Sequence, residues 1–439
     1  MNKKQRIIPN ILLKHKYLLV FLFILSACSN SNDIDYDNTS NSFSSHIDYL
    51  ALDDSEYPYA GIPRIVIETE NYREIKDRET EIPAKLQIWG AKAPESELMD
   101  LTIRGRGNTS WTEMPKKSYK IEFINKQEIL GMSKEKDWVL LANYADKTLI
   151  KNLIAFQLSF NFKNYYTPQH KFVELYLNQN YLGVYQLCEA IKISRNRINS
   201  FHPDSVFLAE IDHKYKAKDQ MILSSSGKPF NIHYPKEMTE IEEKFFKQHI
   251  DSLETFLYSI GKKSPIDSIA KWFDLESFAK IYWIQEFAKN NDAGYHTSVY
   301  FSWQTNKEIF MGPIWDFDIT FGVYDQKDVA DPTGWLLRTS YWNKSLFNNH
   351  PFSAYINQFW FSNRSEFEAI IDSIDVWGEF LKKAAKNNFK RWDILRSTRL
   401  AWHPKAYSSY EQALDDLKKW IEQRIQWIDD QINNSTYEQ

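Results

Sequence analysis

The chain has 439 residues, a formal net charge of −4, and an aromatic inventory of 15 Trp, 25 Tyr and 28 Phe. That length accommodates one bilobal domain or two, and the mildly acidic balance, with no basic run after the leader, excludes nucleic acid as a natural partner. Cys28 and Cys188 are the only cysteines, so no disulfide framework is expected and stability must come from an aromatic-rich core.

At the N-terminus, Lys3, Lys4, Arg6, Lys14 and Lys16 precede an apolar run from Tyr17 to Ala27. The run is shorter than the roughly 20 apolar residues of a spanning helix, so residues 1–27 read as a signal peptide. Its end, Leu25-Ser26-Ala27-Cys28, resembles the lipobox of bacterial lipoproteins, which implies diacylation at Cys28 and a membrane partner held through lipid. An ordinary secretory signal that happens to contain Cys28 is the alternative. Residues 28–62 read as a flexible tether: "SNSNDIDYDNTSNSFSSH" carries too little apolar surface to fold alone. The acidic residues after Cys28 resemble the export signal of surface lipoproteins in Bacteroidetes-type bacteria, implying an exported protein anchored at the outer membrane or cell surface.

From Pro63 the pattern is extended. "RIVIETE", "AKLQIWG", "LMDLTIRGRGN" and "KSYKIEF" alternate or are rich in β-formers, with turns between them. Tyr119, Ile121 and Phe123 share one face; Ser118, Lys120 and Glu122 share the other. A strand around Trp138–Ala142 leads into a helix over 147–160, with Asp146 as its N-cap and Leu149, Leu153, Ile154 and Leu158 on one stripe. "KFVELYLNQNYLGVYQLCEAIKI" predicts a hairpin, strands 172–177 and 181–187 around Asn178-Gln179-Asn180. Residues 63–191 thus form a β-rich N-terminal lobe.

Residues 192–435 read as mainly helical. Helices are predicted over 241–260 and 274–290, the second opened by Asp274. A hairpin follows over 297–314, turning at Gln304–Lys307. Leu414, Leu417, Ile421, Ile425, Ile428 and Ile432 then step by three or four along a last helix. Strands first, then helices with one inserted hairpin, is the order of an α+β, two-lobed fold.

Three constellations could carry chemistry. In "RGRGNTSWTEMPKKSYKIEF" (104–123) two glycines allow backbone N–H groups to approach an anion, while basic residues on the returning strand reach its oxygens; a simple β-bulge with solvated lysines is the alternative. In "FAKNNDAGYHTSVYFSW" (287–303) Asp292 sits on a short polar loop where a carboxylate can orient a hydroxyl and accept its proton, or merely terminate a helix. In "GPIWDFDITFG" (312–322) Asp316 and Asp318, at i and i+2 on an extended strand end, would point the same way. One could hold a cation while the other caps Thr320 or Gly322, or both could be turn-satisfied carboxylates.

Taken together, "RGRGNTSW…PKKSYKIEF", "LGMSKEKDWVLLANYADKTLIKN", "FVELYLNQNYLGVYQLCEAIKI" and "GPIWDFDITFG" resemble the CotH (spore coat protein H) kinase family, in its Bacteroidetes-type lipoprotein branch. The likeness spans roughly residues 80–355. It implies an atypical bilobal protein-kinase-like fold and transfer of phosphate from ATP to protein Ser or Thr hydroxyls, with Mg²⁺ (or Mn²⁺). On that resemblance Asp292 takes the catalytic-loop position, and Asp316, helped by Asp318, holds the metal. Arg104, Lys116, Lys120 and Glu189 become the nucleotide-binding residues, with Leu187–Ile191 as an interlobe linker that receives adenine.

The chain departs from ordinary kinases in three places. Lys289-Asn290-Asn291 precedes Asp292 where His-Arg is usual, and Thr297 stands where a metal-binding Asn is expected. The helix 147–160 offers Lys151 and Asn152 in place of a Glu that would pair with the phosphate-binding lysine. Two other readings compete. One is a catalytically weak or inactive kinase-like surface scaffold that binds protein or glycan through Trp303, Trp335 and Trp342. The other is a glycosidase using Asp292 and Asp316 as its carboxylate pair.

Overall fold

The computed structural model describes residues 52–199, 205–214, 219–322, 326–400 and 403–436. The expected signal peptide, Cys28 and most of the tether lie outside the described residues.

The first half closes into a seven-stranded barrel. Its strands are β1 (Arg64–Thr69), β2 (Ile82–Trp89), β3 (Met99–Arg106), β4 (Ser118–Ile129), β5 (Met132–Leu141), β6 (His170–Leu177) and β7 (Asn180–Glu189). They run in the order β1-β2-β3-β4-β5-β7-β6, and β6 closes the ring by pairing parallel to β1. Closure leaves no exposed sheet edge. Alternation decides what fills it: Leu101 and Ile103 from β3 and Tyr119, Ile121 and Phe123 from β4 all point into one apolar core. A short helix α1 (Thr109–Thr112) joins β3 to β4, and α2 (Lys151–Asn161) joins β5 to β6. The β6–β7 hairpin turns on Asn178 and Gln179, both left-handed with φ of 49° and 66°, as a tight hairpin turn requires.

Ordered packing begins before Pro63. Tyr57 stacks on Tyr181 with ring centroids 4.2 Å apart, and Ala60 and Ile62 are buried. These residues supply the apolar contacts that the Ser- and Asn-rich stretch lacks, so residues 52–62 behave as part of the domain.

The second half combines a five-stranded sheet with helices. Strands β8 (Val206–Ile211), β9 (Met221–Leu223), β10 (Pro229–Tyr234), β11 (Val299–Gln304) and β12 (Ile309–Met311) run in the order β12-β11-β8-β10-β9. The hairpin read as a lone insertion is therefore one side of a sheet, with β11 paired along β8. Helices α3 (Glu240–Ser259), α4 (Ile266–Ala270), α5 (Leu275–Phe287), α6 (Lys327–Ala330), α7 (Tyr341–Phe347), α8 (His350–Arg391) and α9 (Tyr410–Thr436) complete it. Thr239 and Glu242 cap α3 reciprocally, and the Asp274 carboxylate accepts from Ser277 N at the start of α5. Every residue of α5 from Ser277 to Phe287 except Lys280 is buried, because this helix runs through the middle of the core. No helix among the described residues is long and apolar enough to cross a membrane.

The C-terminal end of α8 fastens the two halves. Asn388 Oδ1 accepts from Val184 N (3.1 Å) and Lys116 Nζ (2.9 Å), while Trp392 Nε1 donates to the Leu182 carbonyl (2.9 Å).

Candidate active site

Between the barrel and the C-terminal sheet lies a cleft of about 480 Å³. Its floor comes from the two loops that follow α5 and β12. Asn290 ties these loops together: its Oδ1 accepts from Asp292 N (3.1 Å), and its Nδ2 donates to the Asp316 carbonyl (3.1 Å) and to Gln285 Oε1 (2.9 Å). Phe321 N donates to the Ala288 carbonyl (2.9 Å), adding a second tie. Asp292, Asp316 and Asp318 all open onto the cleft.

The floor is strained. Lys289, Tyr295, Ser298, Asp316 and Phe321 all take left-handed backbone angles, with φ between 48° and 68°. Non-glycine residues adopt such angles at a cost of order 1–3 kcal/mol each and persist where surrounding bonds enforce them. The angle at Asp316 (φ 68°) also corrects the strand expectation. The two acids do not share a pleat face; the chain turns at Asp316, and burial first, then the charge of Asp316, raises the Asp318 pKa. Neither caps Thr320, whose Oγ1 donates to the Phe317 carbonyl (2.7 Å).

Helix α2 buttresses the same turn with the residues that replace the expected Glu. Asn152 Oδ1 accepts from Phe317 N (2.9 Å), and Lys151 Nζ donates to the Thr320 carbonyl (2.6 Å). Burial brings the Lys151 pKa down to about 8, with Asp146 and Asp318 opposing the fall. Helix α2 begins at Lys151, four residues later than expected, and its N-cap is Ile150 rather than Asp146; Asp146 instead holds the preceding turn, accepting from Thr148 N (2.8 Å) and Lys151 N (2.9 Å).

Burial and mutual repulsion dominate the acids. The Asp292 pKa is pushed to about 7 by burial first and by Asp316 second, against the pull of Lys214. Asp316 is raised by burial, with Arg106 opposing, and Asp318 is driven well up by burial and by Asp316, Asp146 and Asp292. Carboxylates sharing a site cannot all ionise without added positive charge. Glu210 on β8 extends the acidic wall, with Oε1 accepting from Ser298 N (3.0 Å) and Oε2 facing His233 Nε2 (2.8 Å).

The opposite wall is the barrel. Gly107 (φ +103°) turns the chain between β3 and α1, and a Cβ on Gly105 would lie 2.4 Å from the Trp111 ring. Both positions therefore need glycine. Arg78 pins the turn by donating to the Gly107 carbonyl (2.7 Å) and Asn108 Oδ1 (2.9 Å). Arg104, Arg106 and Lys120 stand on the cleft side, since alternation sends their neighbours Ile103 and Ile121 inward. Burial works against the charge of Lys120, yet Asp137 (2.9 Å) and Glu122 (3.0 Å) outweigh it and hold its pKa up. The carboxylate beside Lys120 thus comes from β5, not from the helix. Apolar Val139, Leu141, Ala190 and Ile191 line the inner part of the cleft.

Two expected nucleotide contacts do not reach it. Lys116 is only 1 % exposed; its Nζ donates to the Ala142 carbonyl (2.8 Å), the Val184 carbonyl and Asn388 Oδ1, and burial holds its pKa well below the ordinary lysine value. It lies before β4 begins, so strand alternation does not govern it. Glu189 is a clamp, accepting from Arg197 Nη1 (2.7 Å), Tyr166 OH (3.0 Å) and Gln169 N (3.1 Å). It fixes the path of the linker while Ala190 and Ile191, not Glu189, meet the cleft. Cys188 is a buried free thiol beside it.

Two of the three tryptophans of the scaffold reading are buried and the third, Trp335, is half-buried. Trp303 and Trp342 are each 2 % exposed, and Trp335 packs under Arg338 at 3.4 Å. The structure adds residues that the sequence reading passed over: Arg106, Glu210, Asn290 and the supporting role of Lys151 and Asn152. Arg106 was legible from β3 alternation; Asn290 and Glu210 depend on contacts distant in sequence.

A cleft with a glycine turn, a basic wall and a crowded acidic floor defines a site for an anionic ligand held together with a cation. The family model described as CotH kinase protein matches residues 103–428, and the chain belongs to that family. Membership points to an atypical kinase; the architecture is mixed α+β, with a β-rich first half closed into a barrel unlike an ordinary kinase lobe and a helical second half. No curated protein matches the chain.

Proposed function

We propose that this protein is an ATP-dependent protein kinase acting on Ser or Thr hydroxyls of a protein acceptor, on an atypical bilobal kinase-like fold. The observation that carries this reading is the meeting of Asp292, Asp316 and Asp318 with the Gly107 turn, Arg104 and Lys120 around one cleft. The glycosidase alternative gives the basic wall no task.

Asp316 and Asp318 fit a divalent cation, Mg²⁺ or Mn²⁺. They lie half-buried beside each other with Asp292 nearby, so their joint ionisation calls for added positive charge. Among the described residues no three His, Cys, Asp or Glu side chains form a metal cage by themselves. That suits a cation which takes one or two carboxylates and completes its shell with phosphate oxygens and water. When bound, it would offset charge on the phosphate oxygens.

The chain's own residues supply the rest. Asp292, partly exposed at the floor, is placed to align an acceptor hydroxyl and take its proton, and a pKa near 7 suits that task at neutral pH. Lys120 and Arg104 lend positive charge to the wall where phosphates would lie, and the apolar pocket of Val139, Leu141, Ala190 and Ile191 suits adenine. The lipobox-like end at Cys28 supports export and lipid anchoring to the envelope, at the outer membrane or cell surface.

Labelled ATP, with Mg²⁺ or Mn²⁺, incubated with the chain from Ser29 onward tests this reading. Metal-dependent label transfer that vanishes in Asp292→Ala and Asp316→Ala is expected. Nucleotide binding with no transfer to itself or to envelope proteins would leave only a binding module.

A further inference from the structure

Four cations belong to the barrel wall beside the cleft, and three have partners. Lys116 is held by two carbonyls and Asn388. Arg104 donates to the carbonyls of Arg78 (2.7 Å) and Gly105 (3.3 Å), with Glu81 3.6 Å away. Lys120 is paired with Asp137 and Glu122. Arg106 differs: among the described residues its side chain makes no hydrogen bond and no ion pair, and its guanidinium lies over the Trp315 ring, 4.8 Å from the centroid.

The place of Arg106 follows from sequence. It ends β3, on the outward parity of Arg104, and Gly107 turns the chain immediately after it. Trp315 lies directly before Asp316. An aromatic face beneath a guanidinium holds the group in place without using up its N–H donors, which stay free for another partner. That planar fork matches phosphate oxygens two at a time, which an ammonium cannot do. Simple neutralisation of Asp316 would not need this arrangement: no ion pair joins the two, and the Asp316 carboxylate is met by Ser298 Oγ (3.4 Å). Both residues face the same cleft from opposite walls.

We propose that Arg106 is the residue that grips the phosphate chain of the nucleotide, with Trp315 as the plate that orients it. This rests on the kinase reading above and assigns to Arg106 the leading part in a role that the sequence resemblance gave to Lys116 or Lys120. The ligand chemistry is a nucleoside di- or triphosphate, recognised by its oxygens and not by its base.

Calorimetric titration of ATP with Mg²⁺, and of adenosine, into the wild type, Arg106→Gln and Arg106→Lys separates the possibilities. Arg106→Gln is expected to weaken ATP binding by roughly 30-fold, the scale of a charge-assisted pair of hydrogen bonds, with adenosine affinity unchanged. Arg106→Lys should recover only part of the loss, because it keeps charge without the fork. Unaltered ATP affinity in Arg106→Gln, or equal losses for ATP and adenosine, would overturn the assignment. If Arg106→Gln does not fold, Arg106→Lys decides alone: a loss confined to ATP supports the proposal and no loss overturns it. A wild type that binds neither ligand contradicts the kinase reading itself, a result distinct from a failure of Arg106.

Discussion

At the C-terminal end of α5, Glu286 is buried opposite Arg424, whose Nη2 donates to Glu286 Oε1 (2.7 Å) and whose Nη1 donates to the carbonyls of Pro332 (2.9 Å) and Gly334 (2.8 Å). Leu336 N (2.9 Å) and Leu337 N (2.8 Å) complete the shell of Glu286. A few residues further along the chain, Asp292 lies with Asp316 and Asp318 in a cleft where the acids mainly meet one another. The same helix thus carries a fully compensated carboxylate at its end and delivers an uncompensated one just past it. Burial of charge is costly unless it is paired. The first site therefore reads as architecture, and the second as a place prepared for a ligand that brings cations.

That contrast can be broken from either side. The largest expected effect is on turnover: Asp292→Ala should slow phosphoryl transfer by about 10³-fold, the scale of a general base, measured as initial rate at saturating ATP. Next comes Arg424→Met, which leaves Glu286 charged and buried, and should lower unfolding free energy by about 3–5 kcal/mol in urea. Lys116→Met should cost about 1–3 kcal/mol, since it strands two carbonyls and Asn388, while ATP affinity stays as in the wild type. A loss of affinity without loss of stability there would return Lys116 to the nucleotide site.

The last effect concerns pH. Asp292 moves from an ordinary 3.8 up to about 7 on folding, so the folded state binds this proton more tightly than the unfolded state. Its contribution to stability is complete below the unfolded value and is lost as pH rises toward the folded one. In metal-free buffer, wild type should lose up to roughly 3 kcal/mol relative to Asp292→Asn between about pH 4 and about pH 7, nearly ~1.4 kcal/mol per pH unit. Denaturation midpoints of both proteins across that range check the sign; a gain with rising pH would contradict it.

Much of this was legible where local rules operate. Strand alternation put Tyr119, Ile121 and Phe123 inside the barrel, and Asp274 capped its helix. The β6–β7 hairpin followed from its Asn-Gln-Asn turn. The same parity places Glu189 on the barrel side with Tyr185 and Leu187 and sends Arg106 outward, so both could have been assigned correctly from pattern alone. Other features needed tertiary contacts. Strand β8 is buried along its whole length, so it shows no alternation to separate it from a buried helix segment. Asn152 and Lys151 became supports of the Asp316 turn only because α2 packs on a loop far away in sequence. Lys116 looked like a phosphate ligand until Asn388, at the far end of the chain, was seen to hold it.

The central claim is that Asp316 and Asp318 hold a cation through which nucleotide is bound, while Asp292 serves the acceptor. Calorimetric titration of ATP in the presence and absence of Mg²⁺ or Mn²⁺, on wild type, Asp316→Ala and Asp292→Ala, tests it most directly. The account predicts binding that requires the metal, collapses in Asp316→Ala and survives in Asp292→Ala. Binding that ignores the metal, or that Asp316→Ala leaves intact, would contradict it.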